Sequence, residues 1–367
     1  MNTKIPRALL AEANGAVKGL IQKDSQSPFS RVRLDASGTN VSLTASNGDV
    51  QVEYRVEGKT SAGGIATLPG GLFVRFADAM PQGEVEIDGE PGKKLKMSGT
   101  GVTYRMASGE TADYPVMAGP SEDAATFEIE SGLLRALLRK VKFAAADDRS
   151  RPAICGVNMK LLGEQLEMTA TDGRRLAHAE TEIARGAAGK PGTIDVTLPN
   201  KTVGVLWALL DGEASDILVT ADGKSARFVG GKWLMTTKVL EDKYPGWGRV
   251  VPKKTEHEAT IGRGAFLEAM GRAALAAGED GVVKVTVADG LVKFEARSDL
   301  SSASMAIADC KTGGAEAEFL FNPRFLKDAL EAIDDGDFRL MFNGDREPVV
   351  LKCSVPWLVV VMPMFKK

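Results

Sequence analysis

The sequence predicts an α+β protein of three tandem, topologically similar domains, each with two helices packed on antiparallel sheet. Two observations predict it. The first is a repeat: LTASNGDV (Leu43 to Val50), MTATDGRR (Met168 to Arg175) and FEARSDLS (Phe294 to Ser301) each run from a strand into a short polar turn. Their spacing is roughly 120 to 130 residues, far longer than the ~20–50 residues of a solenoid repeat, so the repeating unit is a whole domain. The second is the order of signals around each turn. An amphipathic helix precedes it (Ile5 to Ile21, Ser131 to Ala145, Gly264 to Ala277). Another follows, opened by Leu68-Pro69-Gly70, Leu198-Pro199-Asn200 or Phe321-Asn322-Pro323. The copies close on Tyr114-Pro115, Tyr244-Pro245 and Met362-Pro363. Polar linkers at Ala118 to Thr126 and Pro252 to Glu258 place the domains at residues 1–121, 122–253 and 254–367.

Within each copy, strands show period-two alternation, as in Val283-Val285-Val287 set against Val282-Lys284-Thr286. Asn47-Gly48, Asp172-Gly173, Asp222-Gly223 and Asp289-Gly290 are short-hairpin signals. In the first helix Leu9, Ala13, Val17 and Leu20 form a packing stripe, opposite Arg7, Ala11, Asn14 and Lys18. In the third, Leu134, Leu137, Leu138 and Val141 pack, and Arg135, Arg139 and Lys142 form a basic line at spacings of four and three. Later helices mix Lys201, Arg272, Arg324 and Lys327 with Glu268, Asp328 and Glu331. A solvated face explains any one of these helices; a basic bias on several equivalent ones, in an acidic chain, points to a focused positive surface.

Composition narrows the function. With 44% apolar and 26% charged residues the chain is an ordinary globular protein. No apolar run approaches the ~20 residues of a membrane helix, and the N-terminus lacks a secretory pattern. Cys155, Cys310 and Cys353 are odd in number and scattered, which suits reduced thiols and a cytoplasmic location. A net charge of −3 argues against a conventional nucleic-acid binder, which is basic overall. Any contact with DNA must be local and weak, or topological.

Enzyme signatures fail. Gly223-Lys224-Ser225 imitates the end of a phosphate-binding loop, but the glycine needed five positions earlier is Leu218. Gly186 to Pro191 lacks both the spacing and the hydroxyl after Lys190. His178 and His257 are the only histidines, neither has a partner at metal-ligand spacing, and no CxxC or GxSxG occurs. No catalytic residue, metal or cofactor is expected. Three segments instead look like a binding constellation: Thr169 to Ala177 (TATDGRRLA), Tyr244 to Pro252 (YPGWGRVVP) and Val359 to Lys367 (VVVMPMFKK).

Together they resemble the bacterial DNA polymerase III β sliding clamp family, whose patterns are T-D-G-[HR]-R-L, [FY]-P-x-[YW]-x-R-[VL]-[LIV]-P and V-M-P-[MI]. Ser150 to Val157 (SRPAICGV) also resembles the family's R-P-x-L-x-G-V. The resemblance spans nearly the full length. It implies a head-to-tail homodimeric ring of six domains around duplex DNA, associated with the nucleoid. Implied partners are the polymerase III α subunit, the clamp loader, and other replication and repair proteins carrying a short clamp-binding motif.

The resemblance places a peptide pocket on Ile154, Thr171, Gly173, Arg174, Arg175, Leu176, Pro245, Arg249 and Val250. From the third copy come Asn322, Phe325, Pro348, Val360, Val361, Met362, Pro363 and Met364. Apolar walls there would accept a leucine and a phenylalanine at ~1.5–3 kcal/mol each, which after ordering costs leaves about micromolar affinity. DNA-facing residues implied by position are Lys23, Arg149, Arg151 and Lys201; helix periodicity adds Arg7, Arg135, Arg139 and Lys142. The dimer seam would join Tyr104 and Met106 to the partner's equivalents of Leu275 and Ala276. Pro152 and Ala153 stand where many family members carry aromatics, Gly278 to Val282 has no aromatic, and Ala276 shrinks one seam contact. Two other readings stay open: a clamp paralogue serving as a protein-interaction adaptor, and an enzyme on tandem α+β domains.

Overall fold

The computed structural model describes residues 1–109, 114–148, 150–183, 192–278, 281–308, 310–314, 316–334 and 336–365. Elements recur in the order the repeat predicts. The first copy runs β1 (Asn2–Pro6), α1 (Arg7–Val17), β2 (Arg31–Asp35), β3 (Asn40–Ser46), β4 (Val50–Glu57), β5 (Lys59–Ala62), β6 (Ile65–Pro69), α2 (Gly70–Ala79), β7 (Glu84–Gly89), β8 (Lys94–Gly99) and β9 (Val102–Ala107). The second runs β10 (Ala125–Glu130), α3 (Ser131–Val141), β11 (Gly156–Leu162), β12 (Gln165–Thr171), β13 (Arg175–Glu182), β14 (Ile194–Pro199), α4 (Asn200–Leu209), β15 (Asp216–Ala221), β16 (Ser225–Val229) and β17 (Trp233–Lys238). The third runs β18 (His257–Gly262), α5 (Arg263–Ala274), β19 (Val283–Ala288), β20 (Leu291–Arg297), β21 (Ser302–Ile307), β22 (Lys311–Gly313), β23 (Ala317–Phe321), α6 (Pro323–Glu331), β24 (Asp337–Phe342), β25 (Val349–Lys352) and β26 (Trp357–Val361).

Each copy therefore opens on a strand that the periodicity missed. Ile5, expected to begin the first helix, lies buried in β1. The residue before a proline is pushed out of the α region, so Pro6 holds Ile5 extended and the helix starts at Arg7. The first and third helices also end early, each in a 3-10 turn (Lys18–Leu20 and Lys142–Ala144).

The described residues pack as two units. One comprises those of Met1–Leu133, Ala184–Gly192 and Gly204–Val239, the other those of Leu134–Ile183, Thr193–Val203 and Leu240–Lys367. The first unit holds a five-stranded sheet, β5-β1-β7-β8-β9, and an eight-stranded one, β10-β15-β16-β17-β4-β3-β2-β6. In the latter, strands of two copies join antiparallel through β17 and β4, with Trp233 opposite Tyr54 and Thr237 opposite Val50. Leu10, Ala13 and Val17 of α1 are buried. Asn14, expected on the open face, is buried too: its side-chain amide donates to Val74 O at 3.2 Å and to Asp78 Oδ1 at 2.7 Å. An amide with partners on α2 survives burial that would cost an unpaired one ~1–3 kcal/mol.

The second unit repeats the plan. Its nine-stranded sheet, β14-β11-β12-β13-β26-β25-β24-β18-β22, joins two copies through β13 and β26. Register pairs Arg175 with Val361, Leu176 with Val360 and His178 with Leu358. A four-stranded sheet, β21-β20-β19-β23, lies beneath α5, where Phe266 meets Phe294 edge-on at 4.9 Å and Phe338 at 5.2 Å. The expected packing stripe Leu134, Leu137, Leu138 and Val141 is buried.

The recurring turn closes on the same backbone hydrogen bond in all three copies. Asn47 N–H donates to Val50 O at 3.1 Å, Asp172 N–H to Arg175 O at 3.2 Å and Ser298 N–H to Ser301 O at 2.8 Å. No helix among the described residues is long and apolar enough to cross a membrane.

Candidate functional site

The candidate site grows from the Asp172 turn, whose side chains fix it locally. Asp172 Oδ1 accepts from the backbone N–H groups of Arg174 and Arg175, both at 2.9 Å. Thr171 Oγ1 donates to Arg175 O at 2.7 Å and accepts from Gly173 N–H at 3.1 Å. Gly173 has φ +83°, and a Cβ there would lie 2.6 Å from an Arg151 guanidinium nitrogen. Arg151 is long and can give way; the left-handed backbone cannot. We expect Gly173→Ala to cost ~1–2 kcal/mol in urea denaturation. Gly223→Ala, in the sister turn with open space around it, should cost less.

Arg175 is not an open cation. It is 9% exposed, and each of its three guanidinium nitrogens donates a hydrogen bond. Nε donates to Asp172 at 3.1 Å, one Nη to Asp328 at 2.8 Å and the other to Phe143 O at 2.7 Å. The Phe325 and Phe143 rings lie 4.6 and 5.4 Å from its Cζ. Asp328, which sequence reasoning counted as diluting a basic face, is thus an anchor. Such a planar fork serves three acceptors at once, and here it ties the turn to α6 and to the segment after α3.

On the face of β13 opposite the Arg175 side chain, Leu176, Val350 and Val360 form a buried apolar floor, with Trp247, Val251, Met341 and Leu358 packed against it. The chain's last described segment follows β26 and is tied down by two backbone bonds. Met362 N–H donates to Arg174 O at 2.9 Å and Met364 N–H to Leu320 O at 2.7 Å. Met362 and Met364 are exposed, Pro363 is buried. The Val361 side chain is wholly buried and alternates to the face opposite Val360. Pro245, Arg249 and Val250 are exposed at the 3-10 turn Trp247–Arg249. Asn322 caps α6, accepting from Arg324 N–H at 3.0 Å. Ile154 is buried and Pro348 half-buried.

Trp247, Val350, Met341 and Leu358 were missed. The tryptophan was within the quoted motif, and alternation gives the others: Leu358 shares a face with Val360, whose cross-strand partner is Val350. Behind the floor, His178 is buried, its Nδ1 2.9 Å from Thr169 Oγ1. Burial holds its imidazole below the ordinary 6.5, against the pull of Glu167 and Glu180. Burial likewise raises the phenol of Tyr244.

The basic residues divide. Lys23, Lys142, Arg151 and Lys201 are exposed and Arg135 is half-buried. Arg139 pairs with Asp334 at 2.6 Å, and Arg7 donates to the carbonyls of Asp78 and Met80 at the end of α2, so part of each charge is spent within the fold. Arg149 lies outside the described residues. Of the seam residues, Tyr104 stacks on Phe76 at 4.2 Å and Leu275 is 87% exposed. Met106 and Ala276 are buried within the chain itself, which removes their side chains from a seam. A separate cavity of about 860 Å³ lies on the four-stranded sheet, lined by Lys284, Glu295, Leu320, Met364 and Phe365 among others. Among the described residues no group of His, Cys, Asp or Glu is disposed to hold a metal ion.

Repeated α+β copies whose sheets run continuously from one copy into the next define the sliding-clamp class of fold. The family model for the DNA polymerase III beta subunit central domain matches residues 128–246, and that for its C-terminal domain matches residues 248–364. The beta sliding clamp of Staphylococcus aureus is 24% identical over 355 residues, 94% of this chain and 93% of that one. Solved sliding clamps of Bacillus subtilis (TM-score 0.93, 22% identity) and Pseudomonas aeruginosa (0.92, 24%) superpose over 100% of both chains. The chain belongs to the DNA polymerase III beta subunit family.

Proposed function

We propose that the chain is a DNA polymerase processivity factor: a non-catalytic ring that encircles duplex DNA and tethers the replicative polymerase by a short peptide. The observation that carries this reading is where the two family matches meet. They abut at residue 247, and Trp247 packs on the apolar floor of Leu176, Val350 and Val360. In this reading the protomer has three domains, residues 1–121, 122–253 and 254–367, and two protomers close head to tail, with Tyr104 and Leu275 at the seam. Lys23, Lys142, Arg151 and Lys201 line the bore with Arg135, and Arg7, Arg139 and Arg149 supplement them. The pocket takes peptides from the polymerase α subunit, the clamp loader and repair proteins. A net charge of −3 suits a protein that holds DNA by topology, with a weak, salt-sensitive phosphate attraction.

The test is to load the protein onto nicked circular DNA with its loader and then linearise the circle. Protein should co-elute with the circle and be lost on linearisation. Retention on the linear duplex at moderate salt would overturn encirclement.

A further inference from the structure

The geometry points to Trp247 as the wall that sets which apolar side chain the pocket accepts, with His178 as the positioning residue that holds it. This rests on the peptide-docking reading above and deepens it. Trp247 is partly buried and packs against the floor formed by Leu176, Val350 and Val360. Two contacts fix the indole. One face stacks on the His178 imidazole, centroids 3.8 Å apart and planes 24° from parallel. Its Nε1–H donates to Glu167 Oε2 at 3.3 Å. The imidazole is itself held by Thr169 and is 3% exposed. A ring pinned by a stack and by a hydrogen bond at its edge has little freedom to swing aside for a larger guest.

The sequence explains why this support exists. His178 lies two residues beyond Leu176 on β13, so both side chains project from one face. The 3-10 turn Trp247–Arg249 brings the indole to that face. Replacing His178 with alanine leaves a gap behind the indole into which the ring can retreat, enlarging the pocket on that side. Replacing Trp247 with alanine removes the wall altogether. Both changes should act on the choice between guests more than on binding in general, because the floor residues stay in place.

The probes are fluorescein-labelled short peptides carrying a leucine anchor followed by phenylalanine or tryptophan as the last anchor, titrated by anisotropy. Wild type should favour phenylalanine by at least fivefold. Trp247→Ala and His178→Ala should reduce that ratio to about twofold or less, and His178→Phe, which keeps a stacking ring, should restore it. A merely structural role would weaken both peptides by one common factor and leave the ratio alone, which overturns the inference. A second readout is taken on the wild-type pocket, with a variant used only for assignment. In wild-type protein carrying 5-fluorotryptophan at its four tryptophans, the Trp247 fluorine line, assigned through Trp247→Phe, should shift on adding the phenylalanine peptide. An unmoved line beside demonstrated binding also overturns the inference while the docking reading survives. Absence of any wild-type binding overturns the docking reading itself, and this one with it.

Discussion

Replacing Arg175 with alanine should unfold the second unit at markedly lower urea concentration and weaken peptide binding at least tenfold. The guanidinium is the shared partner of two carboxylates and one carbonyl. Removing one member of a buried ion pair costs ~3–5 kcal/mol, largely by stranding the other charge. Asp172 and Asp328 keep 21% and 24% of their side-chain surface in water, so solvent recovers part of that, and about 2–4 kcal/mol is the expected loss. Binding suffers with stability because Leu176 follows Arg175 directly on β13 and forms the floor. Arg175→Lys should recover little, since one ammonium cannot reach three acceptors held around a planar fork. Urea unfolding followed by tryptophan emission and anisotropy of a labelled clamp-binding peptide give the two numbers. A midpoint and Kd both unchanged from wild type would show that Arg175 anchors neither turn nor pocket.

Much of the fold was legible because it is written locally. A proline or asparagine at each second-helix start, and Asx side chains that close their own turns, need no tertiary knowledge: Asn47, Asp172 and Asp222 each accept two backbone N–H groups just downstream. The opening strands were missed because periodicity alone cannot see that Pro6 forces Ile5 out of the helix. Long-range pairing was invisible for a different reason. Nothing local in Arg175 says that its neighbour will be Asp328, distant in sequence and three-quarters buried, and nothing in Asn14 says that α2 will supply Val74 O and Asp78. The site residues were placed by motif, which names positions but not faces. Hence the motif could not show that the side chains of Val361 and Met106 turn inward, or that Trp247 and Val350 join the Leu176 cluster. Charge was overread in the same way: Arg139 is a free cation in the sequence and an ion-paired one beside Asp334.

Truncation after Val361 separates the pocket from the fold that carries it. β26 ends at Val361, so its ladders to β13 and β25 persist. The backbone bonds lost are those from Met362 to Arg174 and from Met364 to Leu320, worth ~0.5–1.5 kcal/mol each, so the melting temperature should fall by only a few degrees. Binding should fall much further. Met362 and Met364 are exposed at 36% and 41%, unbranched and able to close over guests of different shape. Stripping them leaves an anchor side chain in contact with the floor but open to water on one side. Losing half to all of one side chain's burial, ~1.5–3 kcal/mol, raises Kd about ten- to hundredfold. Polymerase stimulation on a long primed template and loader-dependent loading onto nicked circles should drop in parallel, because polymerase and loader dock in the same pocket, whereas protein already on a circle should stay there. Met362→Ala and Met364→Ala then apportion the effect: the tie to the Arg174 turn puts Met362 nearer the floor, so it should account for the larger share. Equal and small losses from both would mean that the tail acts through its backbone, by bracing the turn, rather than through its thioethers.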